Sequence, residues 1–154
     1  MIAILQRIAS CSVTADGAPY SECGKGLLVL LGVSKEDTEA DAELLAAKIS
    51  KIRIFTDSED KLNLSVADIG GSVMVVPNFT LLAAYKKGNR PDFLKSAAPD
   101  MAEKMFDYFC DFLAPLVPNV AKGKFRADMQ VSLVNDGPIT IAMDSRVLRG
   151  ERDI

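Results

Sequence analysis

The chain has 154 residues, the size of one domain, and its 49% hydrophobic and 25% charged residues give the balance of an ordinary soluble globule rather than a disordered segment. A net charge of −3 means that any polyanion must be met by a local basic patch, because the field of the whole molecule does not attract it. The complete absence of histidine excludes Ser-His-Asp triads, Cys-His dyads and histidine-ligated zinc, so chemistry must come from hydroxyls, carboxylates, lysines, backbone dipoles or the substrate itself.

In chain order, residues 1–10 read as a first strand, too briefly apolar for a signal peptide. Cys11 to Thr14 and Tyr20 to Cys23 read as a second and third, flanking the turn Ala15-Asp16-Gly17-Ala18-Pro19. Leu27 to Val33 is a continuous apolar run of strand length, as expected for a strand buried on both faces. Thr38 can N-cap a helix from about Glu39 to Ile52, with Glu39, Asp41 and Glu43 in its first turn. Arg53 to Phe55 and Lys61 to Leu64 can pair across the turn Asp57 to Asp60.

Ser72 to Val76 reads as a second buried strand running into Pro77, which cannot donate to a sheet ladder. The strand should end or bulge there and leave Asn78-Phe79-Thr80-Leu81 with irregular backbone. Tyr85 to Lys95 is basic, turn-rich and carries two aromatics, which suits either an anion site or a solvated surface loop. Pro99-Asp100 opens a second helix whose stripe, Met101, Met105, Tyr108, Phe109, Phe112 and Leu113, reads as core, and which ends before Pro115 or Pro118. Met129 to Val134 and Ile139 to Met143 both alternate apolar and polar residues, and Asn135-Asp136-Gly137-Pro138 between them is turn chemistry. A hairpin is the direct reading, and a cis Gly-Pro step that presents carbonyl oxygens to a ligand is the sharper one. The tail from Asp144 to Ile154, with Arg146, Arg149 and Arg152, is expected to fray. No run reaches the roughly 18 apolar residues of a membrane span, and three cysteines without metal-site spacing suit reduced thiols in the cytoplasm.

The groups able to carry chemistry are few. Thr80 lacks an adjacent base and so is a poor nucleophile; it can cap, bond backbone or orient a ligand. A broken strand end can instead aim the main-chain N–H groups of Phe79 and Thr80 at one point, as oxyanion stabilisation needs. Arg7, alone in an apolar strand, is either an edge or snorkelling residue or a donor to carbonyl oxygens.

Several blocks in order resemble the D-aminoacyl-tRNA deacylase family: Met1 to Arg7, Gly26 to Val33, Arg53-Ile54-Phe55, Gly70-Gly71-Ser72-Val73, Phe79-Thr80-Leu81, Gly88-Asn89-Arg90-Pro91 and Ala127 to Pro138. The resemblance implies an α+β fold: a strand-rich, barrel-like domain with two helices over residues 1–143, followed by the polar tail 144–154. It implies a homodimer in which the cis Gly137-Pro138 step reaches into the partner's pocket and rejects L side chains, and an aminoacyl-tRNA 3′ end as substrate. The implied activity is hydrolysis of D-aminoacyl-tRNA, and of glycyl-tRNA, without cofactor or metal. Asn78, Phe79 and Thr80 would face the reacting ester, with the 2′-hydroxyl of the substrate adenosine assisting. Thr80 as a covalent nucleophile is the older alternative. Gly137, Pro138, Arg7 and Met129 would form the chiral filter and substrate contacts, within a motif completed by Asn135, Asp136, Ile139 and Thr140. Lys86, Lys87 and Arg90 would meet tRNA phosphates. The chain departs from the family's Ser-Gln-Phe-Thr by reading Pro77-Asn78-Phe79-Thr80, and a related animal branch that also carries this proline has a trans Gly-Pro bond and relaxed chirality. The competing readings are a tRNA-end or nucleic-acid-binding accessory protein with weak or relaxed-chirality deacylase activity, and a dimer without a ligand.

Overall fold

The structure is a computed structural model that describes residues 1–86 and 88–151. Its centre is β3 (Gly26–Gly32), the continuous apolar run. One neighbour is β1 (Ile2–Ala15), antiparallel, and the other is β6 (Ser72–Pro77), parallel. The sheet continues through parallel β7 (Asn119–Lys122), while β2 (Ala18–Cys23) and β8 (Met129–Asp144) both pair antiparallel with β1. The short strands β4 (Phe55–Thr56) and β5 (Leu62–Leu64) form a separate hairpin at the expected place.

The run in β3 is apolar throughout because each face meets a different core. Leu27, Val29 and Leu31, with Val73 and Val75 of β6, face the helices α1 (Glu39–Lys51) and α2 (Pro99–Leu113). Leu28, with Met74 and Val76, faces the inside of the curled sheet together with Ile8, Cys11 and Val13 of β1. The sheet twists until β2 meets β6 and β7, where Ser21 Oγ donates to the Lys122 carbonyl at 2.8 Å. The result is the nearly closed, barrel-like α+β fold that the resemblance implies. Gly26 makes the start of this packing possible, since a Cβ there would lie 1.8 Å from the Ser72 carbonyl oxygen.

Helix α1 starts at Thr38 as expected, with a capping box in which the Asp41 carboxylate accepts from the Thr38 N–H at 2.9 Å. Helix α2 ends at Leu113 and passes into a 3-10 turn, Ala114–Leu116, that carries the first of the two expected prolines.

Three expectations are corrected. β1 is one strand through residue 15, and its hairpin with β2 turns on Asp16 and Gly17 alone, both at positive φ. The late stretch is not a hairpin: both halves of β8 pair with β1, Gln6 opposite Thr140 and Ile8 opposite Asn135. Residues 136–139 are therefore looped out opposite Arg7, because alternation records which face a strand buries and not which strand it joins. The tail, finally, is not frayed at its start. Asp144 caps a short helix α3 (Ser145–Leu148), and Ser145 is fully buried, donating from Oγ to Asp41 at 2.6 Å and accepting from the Met1 ammonium at 2.7 Å. Arg149 pairs with the same Asp41 at 2.7 Å, and the Met1 ammonium also pairs with Asp37. A polar sequence thus docks by satisfying buried carboxylates rather than by apolar contact.

Candidate active site

Pro77 ends β6 as its missing N–H requires, and the chain turns at once into a 3-10 segment, Phe79–Leu82. Asn78 holds the turn. Its N–H donates to the Leu31 carbonyl at 2.8 Å, and its side-chain oxygen accepts from the Thr80 N–H at 3.2 Å and from the Thr80 hydroxyl. These two donors fix the amide orientation, since only Oδ1 can accept, and leave the Asn78 Nδ2 hydrogens for another partner. Phe79 occupies the first 3-10 position, whose N–H has no acceptor within the turn.

Beside this turn lies a cavity of about 410 Å³, the size of a small-molecule site. Asn78 and Phe79 form part of its wall, with Met129 at the start of β8 and Phe93, Phe106 and Phe125 elsewhere around it. The rings of Phe79 and Phe93 meet edge to face, with centroids 5.2 Å apart. Ser96 Oγ donates to the Phe79 carbonyl at 3.2 Å and ties the two segments together. The cavity is mostly apolar; its polar lining residues are Asn78 at the broken strand end, Ser96 and Arg126. Thr80 is exposed, does not line it, and spends both N–H and hydroxyl on Asn78.

The second group of expected residues forms a separate constellation. Gly137-Pro138 is cis, at the exposed tip of the loop opposite Arg7. Arg7, with its side chain only 11% exposed, donates from Nε to the Asp136 carbonyl at 3.1 Å and from Nη1 to the Ile54 carbonyl at 2.8 Å. The same Nε lies 3.2 Å from the Asp136 carboxylate. Arg7 thus bonds carbonyl oxygens, one of the two roles open from sequence. Asn135 closes the loop from inside, donating to the Arg7 carbonyl at 3.2 Å and the Ile139 carbonyl at 3.0 Å, and Thr140 accepts from Gln6 at 3.3 Å. Gly137 has φ +127°, and a Cβ there would sit 3.1 Å from the Ile139 nitrogen and 3.2 Å from Arg7 Nη2. Only glycine fits without strain.

Of the expected site residues, the cavity brings together Asn78, Phe79 and Met129, while Gly137, Pro138 and Arg7 do not line it. Lys86 and Arg90 are exposed in a loop closed by reciprocal bonds between Ala84 and Asp92, and do not line the cavity beside Asn78 and Phe79; Lys87 lies outside the described residues. Sequence reasoning missed Phe93, Phe106 and Phe125 as lining. Phe93 reads from sequence only as one of the two aromatics of the basic loop, and Phe106 and Phe125 lie outside the helical stripe; in the structure Phe106 serves both core and cavity.

A profile described as D-Tyr-tRNA(Tyr) deacylase matches residues 4–144. The chain is 52% identical over 140 residues to a D-aminoacyl-tRNA deacylase of Vibrio cholerae, covering 91% of this chain and 96% of that protein. It is 50% identical over 148 residues to one of Anaeromyxobacter dehalogenans, covering 96% and 99%. Among solved structures, one described as c-Myc DNA Unwinding Element Binding Protein superposes with a TM-score of 0.88 at 39% identity, covering 94% of this chain and 98% of that one. With the match running from β1 to the end of β8, the chain belongs to the D-Tyr-tRNA(Tyr) deacylase family.

Proposed function

We propose that the chain hydrolyses the ester joining a D-amino acid to the 3′-terminal adenosine of tRNA, releasing free tRNA and the D-amino acid in the cytoplasm, and that it cleaves the glycyl ester too. The observation that carries this reading is the cavity at the broken end of β6, where the Phe79 N–H and the Asn78 amide are the donors and the rest of the wall is apolar apart from Ser96 and Arg126, the latter paired with Asp100 and Glu103. Water adds to the ester carbonyl, the carbonyl oxygen becomes an oxyanion, and these donors stabilise it. The carbon–oxygen bond to the ribose then breaks, and the ribose oxygen takes a proton that originates on the attacking water. The adjacent 2′-hydroxyl relays it, since the chain contains no histidine.

Discrimination against L-amino acids comes from exclusion. Gly137-Pro138 is exposed and outside the cavity lining of its own chain, and the outer edge of β8 has no strand partner among the described residues. In a homodimer, the step enters the cavity of the second copy, where its carbonyl oxygens occupy the space an L side chain would need. A D side chain and glycine avoid that wall, so no attractive contact is required.

The test is a deacylation time course on D-Tyr-tRNA, L-Tyr-tRNA and Gly-tRNA without added metal. Loss of the D and glycyl esters with the L ester spared is expected; equal loss of the L ester overturns the filter. Binding of tRNA or DNA without cleavage would replace the enzyme by a nucleic-acid-binding accessory protein, the reading in keeping with the DNA-binding name of the 39% identical structure.

A further inference from the structure

A second cavity, of about 500 Å³, adjoins the first and has a different chemistry. The same three segments separate them. Leu31 and Val33 line the apolar cavity while Ser34 and Lys35 line the second; Phe79 faces one and Leu81 to Ala83 the other; Phe93 and Ser96 face one and Lys95 the other. Whatever leaves the apolar cavity over these segments meets this groove.

The groove is polar and rich in cations. Arg146 and Arg149 are held by carboxylates, Asp144 at 2.6 Å and Asp41 at 2.7 Å, and the Asp37 carboxylate is taken up by the Met1 ammonium. Lys35 and Lys95 are exposed and, among the described residues, have no ion-pair partner. They are held side by side, since the Lys35 N–H donates to the Lys95 carbonyl at 3.1 Å. Glu36 is the remaining carboxylate of the lining. At the groove's edge Tyr85 is 78% exposed, an aromatic ring with no core to fill. Two uncommitted ammonium groups beside an exposed ring are the combination that follows a single-stranded nucleic acid, cations to phosphates and the ring beneath a base. A chain with net charge −3 needs such a local patch.

We propose that this groove holds the phosphodiester chain of the single-stranded 3′ end whose terminal nucleoside enters the apolar cavity, with Lys35 and Lys95 on phosphates and Tyr85 under a base. The inference rests on the tRNA reading above and places the phosphate contacts away from the 86–90 loop. The experiment compares the parent with the double variant Lys35→Ala/Lys95→Ala, which keeps the backbone bond between the two segments, and with Lys48→Ala/Lys51→Ala, an equal charge loss on α1. Binding of uncharged tRNA is measured against salt. The first variant should bind about tenfold more weakly, and its log–log salt slope should be shallower by roughly 1.4, the contribution of two phosphates in a single strand. Tyr85→Ala should weaken binding and leave the slope unchanged. With D-Tyr-tRNA the first variant should lose rate through KM, and with D-tyrosyl-adenosine, which has no phosphate, the gap to the parent should close. Unchanged affinity and slope, or an equal loss from Lys48→Ala/Lys51→Ala, overturns the groove while leaving the deacylase reading standing. A parent that cleaves neither ester and binds no tRNA sinks both.

Discussion

Arg7 is where a single truncation tests the site most directly. Its guanidinium makes two hydrogen bonds to carbonyls, of Asp136 and Ile54, and one ion pair with a carboxylate that is itself 47% exposed. A hydrogen bond to a charged donor contributes about 1.5–3 kcal/mol. The ion pair, screened by solvent at Asp136, adds less than about 1 kcal/mol. The contributions share one side chain and do not add in full, so Arg7→Ala should cost roughly 2–4 kcal/mol. For a chain of this length that lowers Tm by about 5–15 °C. Arg7→Lys should fall between, because an ammonium cannot reach both carbonyls in one plane. Urea unfolding gives the stability, and D-Tyr-tRNA and L-Tyr-tRNA hydrolysis by the same preparations gives the discrimination. We expect the D over L ratio of kcat/KM to drop about tenfold in Arg7→Ala, equivalent to about 1.4 kcal/mol of lost exclusion. A variant within about 1 kcal/mol of the parent that keeps its full ratio would refute the idea that Arg7 braces the Gly137-Pro138 loop.

The remaining predictions concern the broken strand end and the buried carboxylates. Thr80→Ala should retain kcat/KM within about tenfold of the parent, since the hydroxyl is spent on Asn78, whereas Asn78→Ala should lose about 10²–10³ if its amide stabilises the oxyanion; a folded but inactive Thr80→Ala would restore the nucleophile reading. Burial alone would raise the pKa of Asp41, but hydrogen bonds from Ser145 and Thr38, with the Met1 ammonium nearby, hold it below the ordinary carboxylate value. Asp144 is likewise lowered, Arg146 outweighing its burial. Both groups bind protons more readily when unfolded, so their stabilisation is present above pH ~4 and is lost as pH falls through their depressed folded values. Thermal melts from pH 7 to 3 should show Tm falling across that acid range, with a flatter profile in Asp41→Asn; an unchanged profile there would contradict the assignment.

What the sequence revealed followed from the range of the interactions involved. Thr38 and its capping box, the proline stop at Pro77 and the doubly buried run of β3 are decided within a few residues, and each was legible. The parallel pairing of β3 with β6, the joint docking of both halves of β8 on β1 and the burial of Ser145 depend on partners far along the chain, and alternation or charge alone does not name them. The site divides the same way. Asn78 and Phe79 were visible because a proline breaks a strand, but Phe93 and Phe125 became lining only when distant segments closed around that break. Lys35 and Lys95 lie far apart in the chain and look like ordinary surface lysines until the bridge between Ser34 and Ser96 brings their segments together.

The looped-out residues 136–139 have a mechanical consequence. A hairpin tip is tethered at one end of a ribbon and bends with it. This loop has both feet on the same strand, paired with β1 on either side, and is gripped across its base by Arg7 and Asn135. A barrier that selects by contact is only as selective as it is stiff, because a wall that gives way admits what it should refuse. Mounting the loop like an arch on two piers makes its yield under load small, and, on the proposed reading of this loop as the filter, the precision of handedness would be set by the rigidity of a β-sheet rather than by the strength of any bond to the substrate.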